Sequence, residues 1–194
     1  WIDFTITGLT LGSIYSLIAL GYTLVYGILR MINFAHSEVF MSGPLTAYFL
    51  ADAMGKSGFL DANPLVGIGT IFVFAMGVST LVAVLVERIA YRPLRGAPRL
   101  VPLITAIGAS FFLQYAFRGF FGPNFKVYPE IAPLKGAIVW GDFKMSYIQI
   151  LVIVAAAIMM LGLHLFVQYS KTGKAMRAVS EDKETAALMG INVD

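Results

Sequence analysis

Polar side chains that can act on a solute or a partner gather in two places in this chain. The first is Arg30-Met31-Ile32-Asn33-Phe34-Ala35-His36-Ser37-Glu38, at the head of an apolar stretch. Asn33 suits the N-cap of a helix beginning at Phe34, and Glu38 gains from the dipole at that helix end. Two readings stay open. Either these residues cap and orient a helix end at the membrane surface, or Asn33, His36 and Glu38 line a pathway or gate, as polar groups at membrane depth do. His36 and Glu38 are two apart and share no helix face. Two ligands also fall short of the four of a closed zinc site, so no metal site is expected. Gln114, deep in another apolar stretch, is the fourth pathway candidate. Its amide is expected to face protein or a cavity, because facing lipid leaves it unsatisfied. Arg118, one turn on, can snorkel to the rim. His164 and Gln168 close the last apolar stretch, where interhelical hydrogen bonding is expected of them.

The second place is the charged tail, residues 171–194. Ser180 is a natural N-cap, and Glu181, Asp182 and Glu184 fall in the first turn after it, where acids favour the dipole. Gly190 suits the position just past a helix end. The pattern predicts a helix over 181–189, roughly 13 Å long. Such a helix is too short to be stable alone. Its apolar end, Ala186, Ala187, Leu188 and Met189 with Ile191 beyond, needs a docking surface. That surface is either this protein's own loops or a groove on a cytoplasmic partner.

No catalytic residue is assigned. The chain has no cysteine, which excludes thiol catalysis and Cys-based metal sites. It has no Gly-x-x-x-x-Gly-Lys-Ser/Thr phosphate loop and no set of nucleophile, base and acid. If ATP drives its work, another subunit binds and hydrolyses the nucleotide, so no cofactor is expected here. The apolar stretches also lack the carboxylate chain of a proton relay, which weighs against a secondary transporter or a channel that works without an ATPase.

The elements that position these residues are membrane spans. Of the 194 residues 58% are hydrophobic and 13% charged, with mean hydropathy +0.79. Soluble domains carry roughly 25% charged residues. Five stretches, 6–29, 34–54, 65–86, 100–121 and 147–168, approach the roughly 20 residues a spanning helix needs. In hydrocarbon each must satisfy its own backbone, so helix is the default. The second, with His36, Glu38 and Pro44, is also compatible with a kinked or re-entrant helix. The expected fold is an all-α polytopic membrane protein. It has a transmembrane bundle over 1–168, a small extracytoplasmic hairpin, and a cytoplasmic coupling helix within 169–194.

Arg30, the four arginines of the 87–99 loop and the four cations of the tail put nine basic residues on one face. Lys56, Arg118, Lys126, Lys135 and Lys144 put five on the other. The positive-inside rule then places the N-terminus outside and residue 194 in the cytoplasm. On the outer side, residues 137–140 and 143–146 read as two short strands around a Gly141–Asp142 turn of type II′. Trp140 and Tyr128 are expected as aromatic anchors at the membrane surface. Gly8-x-x-x-Gly12-x-x-x-Ser16 and the Ala75, Ser79, Ala83 series are small-residue signals for close helix approach. The basic residues sit in loops between spans, which argues for topology and against nucleic-acid binding.

The tail resembles the EAA loop of ABC-importer permeases, whose pattern is Glu-Ala-Ala, three residues, then Gly. Here Glu184-Thr185-Ala186 precedes Gly190, with Thr185 in place of the usual Ala. Residues 8–39 (GLTLGSIYSLIALGYTLVYGILRMINFAHSEV), 91–114 and 173–194 extend the likeness to essentially the whole chain. Together they resemble the high-affinity branched-chain amino acid permeases, the smaller membrane subunit of such systems. Ser37 stands where that family's Ile-Asn-Phe-Ala-His-Gly-Glu stretch has Gly.

The resemblance implies a permease subunit of the bacterial inner membrane that imports branched-chain amino acids. It implies pairing with a second, homologous permease, two cytoplasmic ATPases that bind ATP, and an extracytoplasmic amino-acid-binding protein. Glu184, Ala186, Ala187, Met189 and Gly190 would couple to the ATPases. Related permeases take urea or ribose, so another small solute is the alternative. Family members run well past position 194, and the chain starts at Trp1, so a fragment of a longer protein is expected.

Overall fold

The computed structural model describes residues 2–29, 31–94, 96–98, 100–131, 134, 136–140 and 143–192. Arg30, Arg95, Arg99 and Lys135, four of the cations weighed for orientation, lie outside these. So do the Gly141–Asp142 turn and the side chain of Trp140. The chain folds as α1 (Ile2–Leu29), α2 (His36–Lys56), α3 (Phe59–Ala62), α4 (Pro64–Val86), α5 (Leu100–Phe121), β1 (Ala137–Trp140), β2 (Phe143–Ser146), α6 (Tyr147–Tyr169), α7 (Lys171–Glu181) and α8 (Lys183–Leu188). A π-helical turn, Glu87–Tyr91, and a 3₁₀ turn, Arg92–Leu94, extend α4. It is an all-α polytopic membrane fold, and contacts divide it into two compact units, 1–32 with 137–194, and 33–136.

Among the described residues, Asp3–Ile28, Pro64–Leu94, Leu100–Phe121 and Tyr147–Tyr169 are long and apolar enough to cross a membrane. Their surfaces are apolar and bare: Phe4, Leu65, Phe112 and Ile158 are all exposed. Hydroxyls on these helices fold back onto their own backbone, as Thr10 does to the Ile6 carbonyl, Thr70 to Val66 and Thr105 to Val101. A lipid-facing helix needs this, because hydrocarbon offers a hydroxyl no partner. The fifth expected span, α2, differs. At 21 residues it is long enough at about 1.5 Å per residue, but its composition is too polar to join the four. It runs unbroken through Pro44 as one continuous helix.

The polarity of α2 follows from its place at the centre of its unit. It packs most extensively on α4, and also on α3 and α5. Ser42, Gly43, Ala47 and Ala51 are buried on it. Gly43 meets the Ala75 carbonyl and the Ser79 hydroxyl so closely that a Cβ there would overlap both. The Ala75 and Ser79 signal on α4 is thus used, against a Gly43-x-x-x-Ala47-x-x-x-Ala51 series that sequence reading passed over. Gly8 and Gly12 of α1 differ from expectation: a Cβ at either would meet nothing within 4 Å. Among the described residues of their own unit, no close approach uses them. A short α3 closes the far end of α2, with Leu60 buried against Gly67.

The segment after α5 is strapped across α2. Tyr128 donates a hydrogen bond to the Pro44 carbonyl at 2.6 Å and packs edge-on to Tyr48. Lys126 Nζ lies 5.6 Å from the Phe49 ring centre and 6.0 Å from that of Tyr48, within cation–π range. Phe49 in turn meets Phe121 at the end of α5.

In the other unit α1 packs along α6, with β2 and α7 beside it. The expected hairpin is present as antiparallel β1 and β2, with Ala137 opposite Ser146 and Trp140 opposite Phe143. Strand β2 enters α6 without a linker. Ser146 caps the helix by accepting from Ile148 N–H, and the Gln149 side chain accepts from Ser146 N–H, a reciprocal capping box.

Candidate functional site

The tail is two helices, α7 and α8. The break falls at Asp182, which has extended backbone (φ −148°, ψ 111°). Its Oδ1 accepts from the Glu184 and Thr185 N–H groups at 2.9 and 3.2 Å, and its Oδ2 from the Thr185 hydroxyl at 2.7 Å. Ser180, expected as the cap, lies inside α7 and donates its hydroxyl to the Arg177 carbonyl. The physical reason is donor arithmetic. One carboxylate oxygen of Asp182 takes two of the unsatisfied N–H groups of the helix start and the other the Thr185 hydroxyl, whereas a serine inside a helix turns its hydroxyl back to an earlier carbonyl.

The far end of α8 is as read from sequence. Gly190 has φ +82°. Its N–H donates to the Ala187 carbonyl and the Ile191 N–H to the Ala186 carbonyl, the paired bonds of a Schellman cap. Between these caps Ala186 is buried, at 4% exposure, while Leu188 and Met189 are 87% and 80% exposed. Glu184 and Ala187 are exposed too. Of the five coupling candidates, Glu184, Ala187, Met189 and Gly190 therefore lie on the open side, and Ala186 faces inward. Leu188, the largest bare apolar side chain of α8, joins the open side.

Asn33, His36 and Glu38 sit at the start of α2, but the helix begins at His36, two residues later than expected. Ala35 holds the N-cap position and no side chain caps it. Asn33 is instead drawn into a tertiary contact. Its Oδ1 accepts from the Ala35 N–H at 3.1 Å and from the Tyr91 hydroxyl at 2.6 Å. Tyr91 ends the π-helical turn after α4, and such turns are frequent at functional sites. Sequence reading missed Tyr91. Its only signal was an aromatic hydroxyl in a basic loop. His36 is half-buried, and Glu38 accepts from the Ser37 hydroxyl at 2.8 Å.

Gln114 is not brought to this cluster. It is exposed on α5. The inward face of α5 is filled by Ala106, Ala109, Leu113 and Phe117. Gln114 falls on the adjoining face, in line with Ile107, Phe111 and Arg118, which are all exposed. His164 and Gln168 are exposed as well. Gln168 is bonded by Arg177, within its own unit.

Over residues 4–194 the chain matches the family described as the branched-chain amino acid transport system permease component. It is 44% identical to the high-affinity branched-chain amino acid transport system permease protein BraD of Pseudomonas aeruginosa, across 96% of this chain and 61% of that protein. It is 41% identical to the corresponding permease protein LivH of Escherichia coli K12 and 38% identical to LivH of Salmonella typhimurium, with the same coverage. The chain thus spans 61% of the length of these relatives. No solved structure matches it. The chain belongs to the branched-chain amino acid transport permease family, and it is a multi-pass membrane protein.

Proposed function

We propose that this member of the family is the membrane-spanning part of an ATP-driven importer for branched-chain amino acids, and that it passes the motion of ATPase subunits to the solute path. The observation that carries the reading is α8. It is a six-residue helix capped at both ends, with Leu188 and Met189 laid bare beside Gly190. An isolated helix of this length is unstable in water, and its apolar tip fits a groove on a cytoplasmic partner. The permease names of the relatives, and the Glu184 to Gly190 spacing, support an ATPase as that partner.

On this reading two cytoplasmic ATPases bind and hydrolyse ATP, and this chain has no enzymatic role of its own. A second, homologous permease shares the solute path, and an extracytoplasmic binding protein delivers the amino acid. The protein sits in the bacterial inner membrane with its N-terminus outside and α8 in the cytoplasm. Asn33, held by the Tyr91 hydroxyl, is a gate candidate at the cytoplasmic end of α2 together with His36 and Glu38. Gln114 is a path or subunit-contact candidate on α5.

The test is reconstitution of the full-length protein with its ATPases and binding protein in vesicles. Leucine uptake should need ATP inside. Leu188→Asp combined with Met189→Asp should abolish both ATPase capture and uptake while leaving membrane insertion intact. Undiminished uptake by that variant, or uptake without any ATPase, defeats the reading.

A further inference from the structure

We infer that the corner between α6 and α7 is a locked elbow, in which Gly173 and Arg177 are positioning residues that make α7 move as one body with the end of α6. The functional consequence rests on the coupling role proposed for α8. The geometry does not.

A single residue, Ser170, separates the two helices, and it serves both. Its N–H donates to the Phe166 carbonyl and closes α6. Its hydroxyl oxygen accepts from the Gly173 N–H at 2.8 Å, and its carbonyl from the Lys174 N–H at 3.0 Å, which opens α7. A linker of one residue with its donor and acceptors all engaged leaves few torsions to vary.

Two further contacts cross the corner. The last carbonyls of a helix lack intrahelical partners and carry partial negative charge. Arg177 supplies both donors and charge there, giving one N–H to the Gln168 carbonyl at 3.0 Å and another to Gln168 Oε1 at 3.1 Å. Gly173 is buried, and a Cβ on it would overlap the Phe166 and Val167 carbonyls. The first turn of α7 therefore rests backbone to backbone on the last turn of α6. Glycine is needed here for proximity, not for its torsion angles.

Helix α6 is one of the apolar spans, and α7 carries α8 at its other end. With the corner locked, a displacement imposed on α8 reaches α6 instead of being absorbed by bending at residue 170. Arg177 is exposed, so its bonds add little to overall stability. Their effect is on the angle between the helices.

The experiment uses the full-length protein in lipid nanodiscs; the 194-residue sequence holds no cysteine, and any cysteine elsewhere in the protein is replaced by serine. Spin labels at Val154→Cys on α6 and Lys174→Cys on α7 report the angle as a distance distribution. A narrow distribution that broadens in Arg177→Ala is expected, with Arg177→Lys intermediate because it can still donate to the Gln168 carbonyl. The same variants in the reconstituted importer are read as solute moved per ATP hydrolysed. Arg177→Ala should lower that ratio roughly threefold, the scale on which one net hydrogen bond shifts an equilibrium, with ATP hydrolysis and membrane insertion unchanged. Distributions identical in wild type and Arg177→Ala overturn the elbow. A broadened distribution with an unchanged ratio overturns the positioning role. If the wild type shows the distances but no ATP-coupled uptake, the proposed function falls and the elbow stands.

Discussion

The Tyr91 hydroxyl donates a 2.6 Å hydrogen bond to Asn33 Oδ1 across 58 residues of sequence, tying the π-helical turn after α4 to the entry of α2. Asn33 Oδ1 also accepts the Ala35 N–H. One amide oxygen thus both shapes its own turn and latches the ends of two packed helices. Tyr91→Phe removes only the latch and should cost about 1 kcal/mol. Asn33→Ala removes both bonds and should cost more. Thermal unfolding in detergent measures the order of the two, and an Asn33→Ala protein as stable as wild type would show that the latch contributes nothing.

Gly43 is the tightest point of the α2–α4 packing, and its replacement is predicted to be the most damaging small change in unit 33–136. An added Cβ meets a carbonyl oxygen and a hydroxyl that cannot both retreat. Gly43→Val should destabilise by about 1–3 kcal/mol through overpacking. Gly77→Ala on α4, where a Cβ meets nothing within 4 Å, is the control and should be neutral or slightly stabilising, since Ala favours helix over Gly. Equal unfolding temperatures for both variants would contradict the packing described.

What the sequence made legible follows from the kind of signal each feature leaves. Four spans and the hairpin were readable because hydropathy and alternation are local. Gly190 was readable because a helix stop after an apolar turn has few solutions. The role of α2 was not, since a central helix packed through Gly43, Ala47 and Ala51 leaves only a small-residue spacing, and Gly8 and Gly12 show the same spacing without a close neighbour among the described residues of their unit. The partner of Asn33 was invisible, because nothing local to Asn33 or Tyr91 announces a contact made by the fold. The cap shift from Ser180 to Asp182 lay between two good capping residues two positions apart. Their difference in acceptor number decided it.

Asp182 should set the register of α8. Asp182→Ala loses the acceptor for two N–H groups and a hydroxyl, at a cost of about 1 kcal/mol of local helix stability. Global unfolding will move little, because α8 is a six-residue helix that buries only Ala186. The loss is expected instead as faster amide exchange at Glu184 and Thr185 and, on the proposed function, as weaker capture of an ATPase subunit. Asp182→Asn, which keeps one side-chain acceptor, should recover most of both. Unchanged exchange at those two amides in Asp182→Ala would show that the cap does not hold the helix.

Tyr128 gives a pH dependence whose sign can be worked out. Its phenol donates to the Pro44 carbonyl, and partial burial raises its pKa above the ordinary 10.0. A phenolate cannot donate, so the folded state favours the neutral form. The folded pKa therefore lies above the unfolded one. The stability this contact contributes is fully present below about pH 10, and is lost as pH rises through the folded value. Unfolding temperatures measured from roughly pH 8 to 11, across the phenol range, should fall at the alkaline end for wild type more than for Tyr128→Phe, which has no proton to lose there. Tyr128→Phe should start lower, by the loss of one hydrogen bond of about 1 kcal/mol, so the two curves converge as pH rises. Parallel curves across that range would mean that the Tyr128 strap across α2 does not depend on its proton.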